Sequence, residues 1–180
     1  MYQVNDFVLY TLNTICRIAE ITTRNFGGKE IEYYILRPVY DEKATIYIPT
    51  NNLKLKSKMR SILSKEEIYQ LISAMPQADY IWIEDDHKRK EVFQHIIDEG
   101  DRYQLISLIK TLYLQRQKRL QNKRSSKMHV SDERFFKDAE KLLYDEFAFV
   151  LGISPQQVVD FISEKLEESA DLSSEKALQA

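Results

Sequence analysis

The residues whose types and spacing could do chemistry are few. Glu84-Asp85-Asp86 is a run of three carboxylates, the kind of group that serves as general acid and base. His87, His95 and His129 are the three histidines, and Cys16 is the single cysteine. None of these is spaced as a metal-ligand set, and a lone cysteine rules out an intramolecular disulfide or a cysteine-built metal cage. No nucleophile elbow, phosphate-cradling Walker loop or dinucleotide fingerprint occurs. The carboxylate run reads instead as charge placed at a helix start, where the macrodipole favours anions. The expectation is a binder rather than an enzyme, with no cofactor and no small-molecule substrate.

Basic residues make the stronger pattern. Between positions 102 and 127 stand Arg102, Lys110, Arg116, Lys118, Arg119, Lys123, Arg124 and Lys127, with no acid among them. Positions 128–180 carry twelve acids against five bases, a local net of −7, so the overall charge of −2 conceals a basic segment followed by an acidic one. That asymmetry points to a polyanion. Cations also favour a helix C-terminus, which accounts for some of the cluster but not for the missing acids. Phosphate contact would show as a steep salt dependence. Trp82 is the only tryptophan and sits in Tyr80-Ile81-Trp82-Ile83. The ordinary use of such a residue is to pack a core or a seam; the functional alternative is a wedge at a DNA base step.

The elements that must position these residues divide in two. Residues 7–10, 15–21, 31–36 and 44–48 are β-type runs, broken by one glycine pair. In the last, Ala44, Ile46 and Ile48 alternate with Thr45 and Tyr47, so the first three face a core and the others face out. Phe26-Gly27-Gly28-Lys29 supplies the positive-φ positions of a tight hairpin. Pro38 and Pro49 fall at strand ends, where a missing N–H costs little. Four or five short antiparallel strands in so few residues suit a strongly bent barrel.

Beyond Pro49 the spacing is helical. Ser64-Lys65-Glu66-Glu67 is a capping box, opening a helix with Ile68, Leu71 and Ile72 buried. Residues 75–80 read as a linker. A helix over 84–99 buries Val92, Phe93, Ile96 and Ile97 and ends at Gly100. The next runs from 102 to about 120, with Leu105, Leu108, Ile109 and Leu112 inward. Residues 122–130 form a polar loop. Ser131 or Asp132 caps a fourth helix carrying Phe135, Ala139, Leu142, Leu143, Phe147 and Val150, stopped by Gly152. Ser154-Pro155-Gln156-Gln157 opens a fifth.

The expected class is therefore α+β: a small SH3/Tudor-like β-barrel over 1–62, then an all-α domain of about five helices over 63–168, with 169–180 a disordered tail. No apolar run approaches the ~18 residues that suggest a membrane span. The N-terminus lacks a signal-peptide layout, and a cytoplasmic location is expected.

These residues together resemble the CarD/CdnL family of bacterial transcription regulators. The match runs through Asn5-Asp6-Phe7-Val8-Leu9-Tyr10, Ile21-Thr22-Thr23-Arg24, Gly28-Lys29 with Tyr33-Tyr34 and Leu36, Ile46-Tyr47-Ile48-Pro49 and Arg60. It continues through Lys88-Arg89-Lys90, Gly100-Asp101 and the helical stretch 132–151. Such a resemblance implies a Tudor-like domain that grips the RNA polymerase β subunit and a helical domain that touches upstream promoter DNA, influencing the open complex. It implies Arg24, Tyr47 and Arg60 for the polymerase side. For DNA the candidates are Trp82, Lys88, Arg89, Lys90, Arg116, Arg119, Lys123 and Arg124, acting on phosphates rather than reading bases. Aligned back from Gly100-Asp101, the family's wedging tryptophan falls at Asp86, and Trp82 lies four residues earlier, about one helical turn. An alternative function is a protein–protein adaptor without DNA binding.

Overall fold

The computed structural model describes residues 2–11, 13–41, 43–121 and 128–178, with the side chains of 26 and 169–178 left aside. The chain divides into two compact units, Met1–Ile62 and Leu63–Ala180.

The first unit is a five-stranded antiparallel sheet. Its strands are β1 (Phe7–Tyr10), β2 (Thr14–Phe26), β3 (Lys29–Pro38), β4 (Ile46–Pro49) and β5 (Met59–Ser61), with the short helix α1 (Leu53–Lys56) before the last. The spatial order is β4-β3-β2-β1-β5. Sequence spacing anticipates the first four strands; β5 is an additional three-residue strand paired to β1. Gly27 and Gly28 both have positive φ, at 60° and 82°, and connect β2 to β3 through a two-residue turn that closes on the Phe26–Lys29 pair. That double left-handed geometry matches the strands' own twist. The Asn25 side chain accepts from the Gly28 N–H at 3.0 Å and reinforces it. A register shift between Ile18 and Glu20 leaves Ala19 as the extra residue of a bulge, which bends β2 and raises its local twist.

The sheet is open among the described residues: β4 and β5 are its two edges and do not pair with each other. The expected barrel is therefore seen as an open, bulged sheet. One face packs Val8, Cys16, Ile18, Tyr34, Leu36, Ile48 and Met59 into a core, with Tyr2 and Tyr10 against it.

The second unit is helical. It comprises α2 (Lys65–Ala74), α3 (Asp86–Glu99), α4 (Arg102–Gln121), α5 (Val130–Leu151) and α6 (Val158–Leu178), with short 3-10 turns at Met75–Gln77 and Pro155–Gln157. Ser64 and Glu67 form the expected capping box of α2. Ser154 and Gln157 form the one ahead of α6. Gly100 and Gly152 end α3 and α5 in the left-handed conformation. Two apolar clusters fill the unit. One gathers Ile68, Leu71, Ile72, Ile106, Leu143, Phe147, Val158 and Ile162. The other joins Phe93, Ile96, Ile97, Leu105, Leu108, Leu112, Phe135 and Ala139.

Two helix starts differ from expectation. Helix α3 begins at Asp86 rather than 84, because the side chain of Asp85 accepts from the Lys88 N–H at 2.7 Å and sets the cap there. Helix α5 begins at Val130, ahead of the expected caps Ser131 and Asp132. Asp132 is instead a buried residue with a structural partner.

Candidate functional site

In the first unit, strand register decides which residues share a face. Tyr47 pairs with Ile35, and Ile35 with Glu20. Arg24 pairs with Ile31. Ile31 and Ile35 are alternate positions of β3, so Arg24 and Tyr47 project from the same side of the sheet. That side is opposite the one that buries Tyr34, Leu36 and Ile48. Tyr47 is 47% exposed, as its alternation predicts, and β4 is an edge. The Arg24 guanidinium lies over the Tyr47 ring, 5.1 Å from its centroid, within cation–π range. Two residues separated along the chain thus make one exposed aromatic–cation feature. Arg60 is on β5, opposite Leu9, at the other edge of the sheet. The structure brings Arg24 and Tyr47 together and leaves Arg60 apart from them.

Residues 2–63 match the family model of the CarD-like/TRCF RID domain. The chain carries a CarD-like RNA polymerase interaction domain. The matched segment is about a third of the chain. No curated protein matches the chain. The match ends where the first compact unit ends. Within the CarD-like domain Cys16 is fully buried, and desolvation pushes its thiol up to about 11, which leaves it inert at neutral pH.

In the helical unit, residues 76–83 are strapped onto α4 by a succession of polar contacts. Lys110 Nζ donates to the carbonyls of Pro76 and Ala78 at 2.6 and 2.7 Å. The fully buried Thr111 hydroxyl accepts from the Ile81 N–H at 2.9 Å. Gln115 Nε2 and Lys118 Nζ donate to the Tyr80 hydroxyl at 2.7 and 3.3 Å. The strap turns Ile81 and Trp82 inward, against the cluster around Phe93 and Phe135.

Trp82 is further covered by Arg89, whose guanidinium carbon lies 4.3 Å from its ring centroid. Arg89 is only 5% exposed. Its Nε donates to Asp132 at 3.2 Å, one amino group to the Ile83 carbonyl at 2.9 Å and the other to Asp86 at 2.6 Å. The Arg89 donors are therefore directed to partners inside the fold. Because α3 starts at Asp86, Trp82 precedes the helix and does not stand one turn earlier on its face. It serves as packing beneath an arginine. Asp86 pairs with both Arg89 and Lys90. The hydrogen bond from Lys90, with the nearby charges of Lys90, Arg89 and His129, holds its carboxyl below the usual range.

Among the other expected cations, Lys88 is exposed and Lys90 is tied to Asp86 at 2.6 Å. Arg116 is exposed and Arg119 half-buried, both on the last turns of α4. Lys123 and Arg124 lie outside the described residues.

Sequence reasoning missed Asp132, Glu146 and Tyr80. Glu146 is buried and takes a bidentate pair from Arg102, at 2.9 and 2.6 Å, together with the Leu63 N–H at 3.0 Å. Nothing local marks Asp132 or Glu146, whose partners are 43 and 44 residues away. Tyr80 likewise carries no local signal, since its partners Gln115 and Lys118 are 35 and 38 residues away. A groove of about 540 Å³ also opens between α4, α5 and α6, lined by Ile109, Tyr113, Phe136, Tyr144, Val159 and Ile162 with Arg116 and Glu140 among them. Desolvation raises the Glu140 carboxyl against the opposing pull of Arg116. Among the described residues no helix is long and apolar enough to cross a membrane.

Proposed function

We propose that the chain is a transcription regulator that docks on the RNA polymerase β subunit through the outer face and the β4 edge of its CarD-like domain. The observation that carries this reading is the exposed Arg24–Tyr47 pair within the matched residues, with Tyr47 on the edge strand β4 and Arg24 reaching it from β2 across β3. An edge strand offers unpaired main-chain groups that a partner strand can meet, with Tyr47 and Arg24 supplying side-chain specificity. Arg60 contributes from the other edge. The bulged, open sheet is read as the Tudor-like fold of such modules.

The helical unit then contacts upstream promoter DNA without reading sequence and modulates open-complex formation. Lys88, Lys90, Arg116 and Arg119 supply phosphate attraction, joined by Lys123 and Arg124. Trp82 and Arg89 are left out of this set because they support each other inside the fold. The test is co-purification of the chain with RNA polymerase, followed by duplex binding at low and moderate salt. Retention of polymerase together with salt-sensitive DNA binding is expected.

A second reading, a protein–protein adaptor without DNA binding, is favoured by the apolar groove between α4, α5 and α6. Polymerase retention with no DNA binding at any salt, with or without residues 128–180, would select it.

A further inference from the structure

We propose that Tyr80 and Lys118 form a binding site for a DNA backbone phosphodiester, making Tyr80 rather than Trp82 the aromatic that the helical unit presents to DNA. The proposal rests on the reading that this unit contacts DNA.

The strap over α4 separates two aromatics that stand two residues apart. Trp82 is turned into the apolar cluster and capped by Arg89. Tyr80 is turned out and is 44% exposed. Its ring is held rather than loose: Lys118 Nζ sits 4.8 Å from the ring centroid, and the hydroxyl accepts from both Gln115 and Lys118. A phenol oxygen has two lone pairs and one proton. With both lone pairs engaged, the proton faces outward and is available to solvent or to a bound acceptor. Lys118 is exposed and spends one of its three protons on Tyr80, leaving others for the same acceptor.

The charge surroundings define that acceptor. Gln115, Lys118 and Arg119 occupy positions i, i+3 and i+4, one face of α4, within a stretch that carries no Asp or Glu from 102 to 127. An uncharged acceptor would make no use of this field. A phosphodiester oxygen is anionic, and a run of them suits a run of bases. Because Lys110 holds the strap before Tyr80 and Thr111 holds it just after, Tyr80 is preorganised and gives up little freedom on binding.

The test is fluorescence anisotropy of a labelled random-sequence duplex against the full chain, across a salt series. Tyr80→Phe removes the hydroxyl and keeps the ring; it is expected to weaken binding roughly ten- to hundredfold, the range of one hydrogen bond to a charged group. Lys118→Gln is expected to lower the log–log salt slope by about 0.9. Trp82→Phe is expected to leave both unchanged. Wild-type binding with Tyr80→Phe and Lys118→Gln indistinguishable from it overturns the site while the DNA reading stands. Absence of wild-type binding at every salt overturns the DNA reading and the site with it. Polyglutamate binding as tightly as DNA, and equally weakened by Tyr80→Phe, would assign the site to acidic peptide instead and also overturn the proposal.

Discussion

Arg89 stacks its guanidinium 4.3 Å from the centre of the Trp82 ring while donating from Nε to Asp132 at 3.2 Å. One side chain thereby joins the strap before α3, the body of α3 and the start of α5. Arginine suits the position because its planar fork can stack and donate in several directions at once. The sole tryptophan of the chain, half-buried against the Phe93–Phe135 cluster, is held in place by this arrangement.

Asp132 is the counter-charge on which that arrangement depends. Asp132→Ala removes the buried carboxylate from Arg89 while Asp86 and the Ile83 carbonyl remain as partners, so the cost is that of a lost hydrogen bond between charged groups, about 1.5–3 kcal/mol. Thermal denaturation should show the loss directly. Trp82 emission should shift to longer wavelength in the folded variant, as the ring loses its cover. An unchanged melting temperature with unchanged emission would contradict the role given to the pair.

The Gly27–Gly28 turn is a second sharp case. Gly28 has a φ of +82° and open space where a side chain would sit, so the cost of Gly28→Ala is one of backbone conformation alone. That cost is about 1–2 kcal/mol. Denaturant unfolding of the CarD-like domain should register it as a lower midpoint with the same slope.

Where sequence reasoning succeeded, the physics was local. The Ser64–Glu67 and Ser154–Gln157 boxes, the αL stops at Gly100 and Gly152 and the hairpin at Gly27–Gly28 each involve neighbours a few residues apart. The outward Tyr47 followed from strict alternation over a few residues. Where it fell short, the deciding partner was distant. Asp132 has the composition of a helix cap and lies beside an expected helix start, yet Arg89, 43 residues earlier, draws it inside. Arg89 itself sits between Lys88 and Lys90 and is indistinguishable from them in sequence; only the helix phase fixed by the Asp85 cap turns it inward. The pairing of Arg24 with Tyr47 crosses β3 and is invisible until register is known.

Glu140 makes a prediction about pH. Desolvation raises its carboxyl above the ordinary value of 4.5, with Arg116 opposing. A raised folded-state value means that the stability linked to this group is full below 4.5 and declines as pH rises through the folded value. Glu140→Gln stays neutral throughout and escapes that decline. The variant should therefore melt higher than the parent at pH 7, with the difference shrinking toward pH 4. A larger advantage at pH 4 than at pH 7 would have the sign wrong.

On the proposed function, the CarD-like domain docks through the Arg24–Tyr47 face. Both side chains are exposed and neither fills the core, so Tyr47→Ala and Arg24→Glu should change folding stability by less than about 0.5 kcal/mol. The most direct measurement is the affinity of immobilised RNA polymerase β subunit for the full chain and these two variants, with melting temperatures recorded in parallel. Arg24→Glu is expected to abolish retention and Tyr47→Ala to weaken it at least tenfold, the ~1.4 kcal/mol or more expected of a hot-spot aromatic, with melting temperatures unchanged. Wild-type affinity in the Arg24→Glu protein would contradict it.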